Sequence, residues 1–231
     1  MAFSINFSSP LPTNTSNITQ RTDLSKVIPN TEVDMMRMSS SLSVLCHAEH
    51  VDELLQTPNC GGIRLYPANA NFGMTTGPIP SLLAVAVDDN GDDLVTSTMP
   101  NLATPCYICL PNGNVNKVSE NTAKDMITNL KPTIQVGTVF EPLRNTLSVN
   151  TREYFKATFT RKVIEDILNT PNIRSVRFDI IDLNVLDNTN TLNLRSLAVS
   201  PVDDNGNIIG DDNSQLSLLP CPPSCQGGYI D

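Results

Sequence analysis

One block of sequence occurs twice in this chain of 231 residues, and that repetition limits the fold more than any other feature. The first occurrence contains Val51-Asp-Glu-Leu-Leu-Gln-Thr-Pro-Asn59, Ile63-Arg-Leu-Tyr66, Ser81-Leu-Leu-Ala-Val-Ala-Val-Asp-Asp-Asn-Gly91 and Pro105-Cys106. The second contains Ile164-Glu-Asp-Ile-Leu-Asn-Thr-Pro-Asn172, Val176-Arg-Phe-Asp179, Ser196-Leu-Ala-Val-Ser-Pro-Val-Asp-Asp-Asn-Gly206 and Pro220-Cys221. Pro58 and Pro171 stand 113 residues apart, as do Arg64 and Arg177, whereas Asp89 and Asp204, like Cys106 and Cys221, stand 115 apart. A two-residue difference in one loop accounts for the step. Matches kept in order predict an internal duplication. Two copies are too few for a solenoid, so a pseudo-symmetric pair is expected.

The chain is long enough for two modest cores of about 100 residues each. Three segments are expected: an N-terminal arm over 1–30, a first α+β repeat over 31–112, and a second over 113–231 with a Cys- and Pro-rich tail. In the arm, Phe3, Ile5 and Phe7 alternate with polar residues, the period of a half-buried strand, and are expected to dock it in assembly. Thr31 with Asp34, and Thr122 with Asp125, predict helix starts, and Ala123, Met126, Ile127 and Leu130 share one helical face. Leu42, Val44 and Cys46 alternate as a strand, as do Phe155, Ala157 and Phe159. Val51, Leu54 and Leu55, and likewise Ile164, Ile167 and Leu168, make apolar helix faces that end at Thr-Pro. The unit therefore reads helix, strand, helix, strand, strand: an α+β fold with helices on one face of a small sheet. Leu82 to Val87 is apolar on both faces and is expected to be central, while Pro201 in the matching strand predicts an edge. Asn-Gly after each last strand predicts a type I′ turn.

Four groups of residues invite a chemical reading. Cys106 and Cys109, with Cys221 and Cys225, would supply four thiolates to a tetrahedral zinc if a twofold axis brought the pairs together; the alternatives are disulfides within a pair or plain structural thiols. Cys46, His47 and His50 cluster where a helix begins, but the second copy has Phe159, Thr160 and Val163 there, which favours ordinary surface or capping histidines. Asp88, Asp89, Asp92 and Asp93 resemble a calcium loop only in composition, because their spacing does not alternate, so a solvated hairpin turn is expected. Arg64 and Arg177 recur in mid-strand, either as anion ligands or, as expected here, paired to a carboxylate on a sheet face. The phosphate-loop, dinucleotide, zinc-protease and nucleophile-elbow motifs are all missing, and the chain has no Trp and only two His, so few groups remain for an acid-base site.

Set side by side, Ile63-Arg-Leu-Tyr66, Val85-Ala-Val-Asp-Asp-Asn-Gly-Asp-Asp93 and Cys221-Pro-Pro-Ser-Cys225 resemble a group of uncharacterised bacterial proteins. Members carry an Ile-Arg-x-Tyr strand, a Val-x-Val-Asp-x-x-Gly-x-Asp hairpin and a Cys-Pro-Pro-x-Cys end, usually once per chain. The resemblance covers most of both repeats and implies no activity. The second repeat departs from it at Asp179, where tyrosine would stand, and at Pro201.

A formal charge of −9, from 24 acidic and 15 basic residues without a basic cluster, argues against nucleic acid as a partner. No apolar run or signal-like start is seen, so no membrane insertion and a cytoplasmic location are expected, and six cysteines are too few for a disulfide-built scaffold. The leading expectation is a non-enzymatic structural protein, a homo-oligomer or homopolymer built into a filament, tube or shell without cofactor. The alternative is a zinc-binding or thiol-redox module centred on the paired cysteines.

Overall fold

In a computed structural model of the chain, the described residues are 4–6, 25–28, 43–70, 79–94, 106–134, 156–187, 190–210, 214–217 and 220–221. Side chains are described over 43–70, 79–94, 106–128, 157–180, 197–210, 214–215 and 217. The fold is α+β, with two six-stranded sheets whose strand pairs are antiparallel except at β1. In chain order the elements are β1 (Ser4–Asn6), β2 (Ser25–Ile28), β3 (Ser43–His47), α1 (Ala48–Leu55), β4 (Gly62–Ala70), β5 (Ile79–Val87), β6 (Cys106–Cys109), β7 (Val115–Val118) and α2 (Glu120–Ile134). They continue with β8 (Lys156–Thr160), α3 (Arg161–Leu168), β9 (Ser175–Asp187), β10 (Asn190–Val202), β11 (Ser214–Ser217) and β12 (Pro220–Cys221).

The two segments that match in sequence make the same local bonds. Each helix stops before Thr-Pro, and the following asparagines, Asn59 and Asn172, both sit at φ 63°, a left-handed conformation that asparagine tolerates better than most side chains. Thr57 N–H donates to Leu54 O at 3.1 Å, and Thr170 N–H donates to Ile167 O at 3.1 Å. Gly61 N–H donates to Val87 O at 2.7 Å, and Arg174 N–H to Val202 O at 3.0 Å.

The first strand of each segment, however, lies in the sheet of the other. β3 pairs with β9, with His47 opposite Ser175 and Val44 opposite Phe178. β8 pairs with β4, with Thr160 opposite Gly62 and Ala157 opposite Leu65. The two registers coincide at the 113-residue offset. Two further bonds tie the crossings: Ala48 N–H donates to Arg174 O at 3.0 Å, and Arg161 N–H donates to Gly61 O at 2.8 Å. Strand pairing thus crosses the expected boundary at 112/113 in both directions, so one core is assembled from both segments. It joins Val44, Leu54, Ile63, Leu82, Phe159, Ile164, Phe178 and Val199, all buried. Phe159 and Phe178 meet there across the sheets, with ring centroids 6.1 Å apart.

β5 is central, between β4 and β6, and buries both faces. Its Leu82, Ala84 and Ala86 enter the shared core, while Leu83 and Val85 pack with Tyr66, Cys106 and Ile108 against Ala123, Met126 and Ile127 of α2. The helix that opens the second expected repeat therefore covers the sheet of the first. It also starts earlier than its Thr122 pattern predicts. Ser119 Oγ accepts from Thr122 N–H at 3.2 Å, which makes Ser119 the capping side chain and places Thr122 in the first turn.

Two other expectations need correction. β10 is not an edge strand, because it lies between β9 and β11. Pro201 is accommodated because β11 reaches only Ala198 and Val199, and because its carbonyl accepts from Ile209 N–H at 3.0 Å on the side away from β9. N and C=O of an extended residue point the same way, so the missing donor also faces away from β9. The Asn-Gly turns are not type I′, because only the glycines, Gly91 (φ 88°) and Gly206 (φ 80°), take positive φ. Asp88 O accepts from Gly91 N–H and Asp203 O from Gly206 N–H, the arrangement of a type I turn followed by a left-handed glycine. The helix start expected at Thr31 lies outside the described residues, as do Phe3 and Phe7.

Candidate functional site

A cleft of about 650 Å³ lies where the end of β3, the start of β9 and the turn after β10 meet the β6–β7 turn. Its polar lining includes His47, Glu49, Asn114, Arg174, Asp203 and Asp204. Local folding explains why these converge. Ala48 N–H is bound to Arg174 O, so the first turn of α1 is held over β9, and Gly113, at φ 82°, lets the β6–β7 turn approach Leu45.

Arg174, Asp203 and Asp204 are already committed within the protein. Arg174 Nε lies 2.7 Å from Asp204 Oδ1, an exposed pair of small energetic value. Asp203 Oδ1 accepts from the backbone N–H groups of Asn205 (2.8 Å) and Asn207 (2.9 Å), and these bonds, led by Asn207, hold its carboxyl below the usual range. Asp88 does the same for Asn90 and Asp92, both at 2.8 Å. The acidic tetrad is thus a turn-building device. Its fourth member, Asp93, serves a separate buried network.

That network lies on the outer face of the β4 sheet. Arg64 Nη1 donates to Asp93 Oδ1 at 2.7 Å, Nη2 to Gly91 O at 2.8 Å, and Nε to Thr158 Oγ1 at 3.2 Å. Tyr66 OH donates to Asp93 Oδ2. Arg64 and Asp93 are 4% and 2% exposed, so a guanidinium and a carboxylate are sealed together with nearly full hydrogen bonding. Arg177 Nε reaches Asp179 Oδ2 at 2.8 Å, in its own strand. Both arginines are therefore paired to carboxylates on sheet faces, as the sequence suggests.

A third polar group joins α1 to β6 and β7. Tyr107 OH donates to Glu53, and Lys117 Nζ donates to Glu53 Oε1 at 2.8 Å. His50 stacks on the Tyr107 ring with centroids 4.8 Å apart, and His47 meets His50 edge-on at 5.9 Å. The Lys117 bond, then that of Tyr107, holds Glu53 below the ordinary carboxylate range, while burial and the Glu53 charge push the Tyr107 phenol well above its own. The two shifts move apart, leaving Glu53 and Tyr107 far from the near-neutral pKa of an efficient general acid or base. Sequence reasoning missed this cluster because Tyr107 and Lys117 lie 54 and 64 residues from Glu53, with no periodicity joining them.

Cys106 and Cys109 do not converge. Cys106 and Cys109 are three apart on β6 and so face opposite ways: Cys106 toward α2, Cys109 into the shared core. These two thiols cannot close on one ion while β6 remains a strand. Burial pushes Cys106 up to about 12, and Cys109 is raised by its hydrogen bond with Cys46 and by burial. Such thiols are poor nucleophiles. Cys221 lies in β12 opposite Lys156, and Cys225 lies outside the described residues. Cys46 points into the core while neighbouring His47 is exposed, so the Cys46, His47, His50 set does not face one point either. Among the described residues no group of three or more His, Cys, Asp or Glu side chains is placed to hold a metal ion. No helix among them is long and apolar enough to cross a membrane.

Compared with known proteins, the chain matches no family model, no curated protein and no solved structure.

Proposed function

We propose that the chain is a non-enzymatic structural subunit, an internally duplicated and pseudo-symmetric α+β protein of the cytoplasm that assembles with copies of itself into a filament, tube or shell. The observation that carries this reading is the use of one strand edge by two separate pieces of chain. On the same side of β9, β3 occupies Ser175 to Asp179, and β1 adds parallel to Asn184, Val185 and Leu186. A short segment near the chain start, with Ile5 opposite Val185, therefore adds to a sheet by backbone pairing. Such pairing is read from main-chain groups, so the same segment of a neighbouring copy fits the same edge. The committed charges of the cleft and the displaced pKa values of Glu53 and Tyr107 support a structural rather than a catalytic role. The acidic surface and the lack of a basic cluster support protein over nucleic acid as partner.

The test is deletion of residues 1–20, followed by sedimentation and negative-stain imaging beside the intact chain. Regular large particles from the intact chain and dispersed protein after deletion are expected. Identical assembly by both would remove the arm from the reading, and an intact chain that stays monomeric would end it.

A further inference from the structure

We infer that the two halves of this chain are exchangeable between copies, so that residues 43–134 of one molecule close onto residues 156–221 of another through the same strand pairs that close a single molecule. The inference rests on the reading of the chain as a self-assembling subunit and names the partner, a second copy, and the surface it uses.

Neither half is complete alone. Without β8, one edge of β4 is open over Gly62 to Leu65, and without β3, one edge of β9 is open over Ser175 to Asp179. The two missing strands are supplied reciprocally, in the same register, and each crossing is locked by an equivalent backbone bond, from Ala48 to Arg174 and from Arg161 to Gly61. The core between them takes Val44, Leu54 and Leu65 from one half and Phe159, Ile164 and Phe178 from the other. No contact in this joint depends on the halves belonging to one polypeptide. They are linked through residues 135–155, twenty-one positions able to reach about 70 Å when extended. That reach suffices for a neighbouring molecule in a crowded assembly.

The balance between closure within a chain and between chains is set by concentration. A tether of twenty-one residues holds the halves at an effective concentration on the order of 1 mM. At micromolar chain the molecule closes on itself. Near the millimolar range, or inside an assembly where copies are packed side by side, closure onto a neighbour competes. Reciprocal exchange gives a closed dimer, and head-to-tail exchange gives an open polymer.

The experiment uses the full chain carrying His47→Cys with Ser175→Cys. Because Ala48 and Arg174 form a hydrogen-bonded position of the ladder, the adjacent His47 and Ser175 fall at a non-hydrogen-bonded one. There the Cα atoms are about 4.5 Å apart, within disulfide reach. The protein is unfolded, refolded at about 10 μM and at about 1 mM, oxidised, and run denatured without reductant. The lower concentration lies about a hundredfold below the effective concentration of the halves and the upper about matches it. The covalent dimer and higher bands are expected to rise from about one part in a hundred to roughly half of the chain. The variants that carry only one of the two added cysteines beside the six native ones, treated alike, should give no such concentration-dependent rise.

Cross-links confined to the monomer band at both concentrations would overturn the exchange. Seen together with large particles in sedimentation, that result would leave the assembly reading standing and exclude only the half-for-half route. Seen with monomeric protein throughout, it would sink both. A low yield of any disulfide would mean that the pair does not meet as placed, and this too counts against the proposal; sedimentation of the refolded parent chain at the two concentrations, where the same rise in dimer is expected, keeps the test independent of the substitutions.

Discussion

Arg64 and Arg177 occupy the same position in the two matching strands, yet their partners come from different places. Arg64 takes its carboxylate from Asp93, beyond the hairpin turn, and Tyr66 hydrogen-bonds that same acid. At the position matching Asp93, the second half carries Ile208, and at the position matching Tyr66 it carries Asp179. The carboxylate comes from the turn in the first half and from the strand in the second, and each guanidinium has a partner. A buried cation without its counter-charge is too expensive to keep, so loss of one acid requires gain of another nearby. The two halves therefore conserve a charge balance rather than a residue list.

That comparison breaks most visibly if an acid is removed. Asp93→Ala leaves Arg64 sealed and uncompensated and should lower stability by about 3–5 kcal/mol, read from urea unfolding. Asp179→Ala should do less, because Arg177 is 13% exposed against 4% for Arg64 and regains water more readily. Moving the first arrangement into the second half, Asp179→Tyr with Ile208→Asp, should recover part of the Asp179→Ala loss. Failure to recover any would mean that the two networks are not interchangeable.

A smaller contrast lies at the strand crossings. A Cβ at Gly61 would stand 2.4 Å from Asp89 Oδ1 and 2.9 Å from the Asp88 carbonyl carbon, and one at Gly62 would stand 2.4 Å from Phe159 O. The second half holds Arg174 and Ser175 at these places, so its crossing has room for side chains. Gly62→Ala is expected to destabilise by roughly 1–3 kcal/mol, by the overpacking of a backbone neighbour. Ser175→Ala should lie within about 0.5 kcal/mol of the parent. Equal effects in the same unfolding assay would show that the first crossing is no tighter than the second.

The smallest expected effect is a pH dependence. Glu53 is held below its ordinary value by Lys117 and Tyr107, so its contribution is present above the unfolded-state pKa and disappears as pH falls through the folded one. Unfolding midpoints measured downward from pH 6 should decline slightly more steeply for the parent than for Glu53→Gln. Parallel curves would remove Glu53 from the acid sensitivity.

Much of the scaffold was legible because short-range patterns report local structure. The alternation of Val44 and Cys46, the helical faces of Leu54 and Ile164, and the two-faced apolar run of β5 all lie where their periods place them. The type I′ expectation failed because Asn-Gly fits more than one turn, and the Asp88 side chain, by binding the N–H groups of Asn90 and Asp92, selects a type I turn with glycine last. The exchange of β3 and β8 could not be read, since a strand's alternation shows which face is buried and never which edge it joins. The Glu53, Tyr107, Lys117 cluster was hidden for the same reason: it is made by sheet order, which no local window contains. The Cys106 and Cys109 spacing, which would suit a turn, is laid out along a strand, so the two side chains take opposite faces.

The crossed strands also fix when this protein can finish folding during its synthesis. Arg64 meets Thr158 across a separation of 94 residues, so the edge of β4 stays open until the second half has left the ribosome. At about 5–20 residues per second, that edge is exposed for roughly 5–20 seconds on every nascent chain. During that interval the nearest open β9 edge or free β8 strand belongs to a neighbouring ribosome on the same message. The order in which the halves are made thus sets how long each new chain carries an open strand edge.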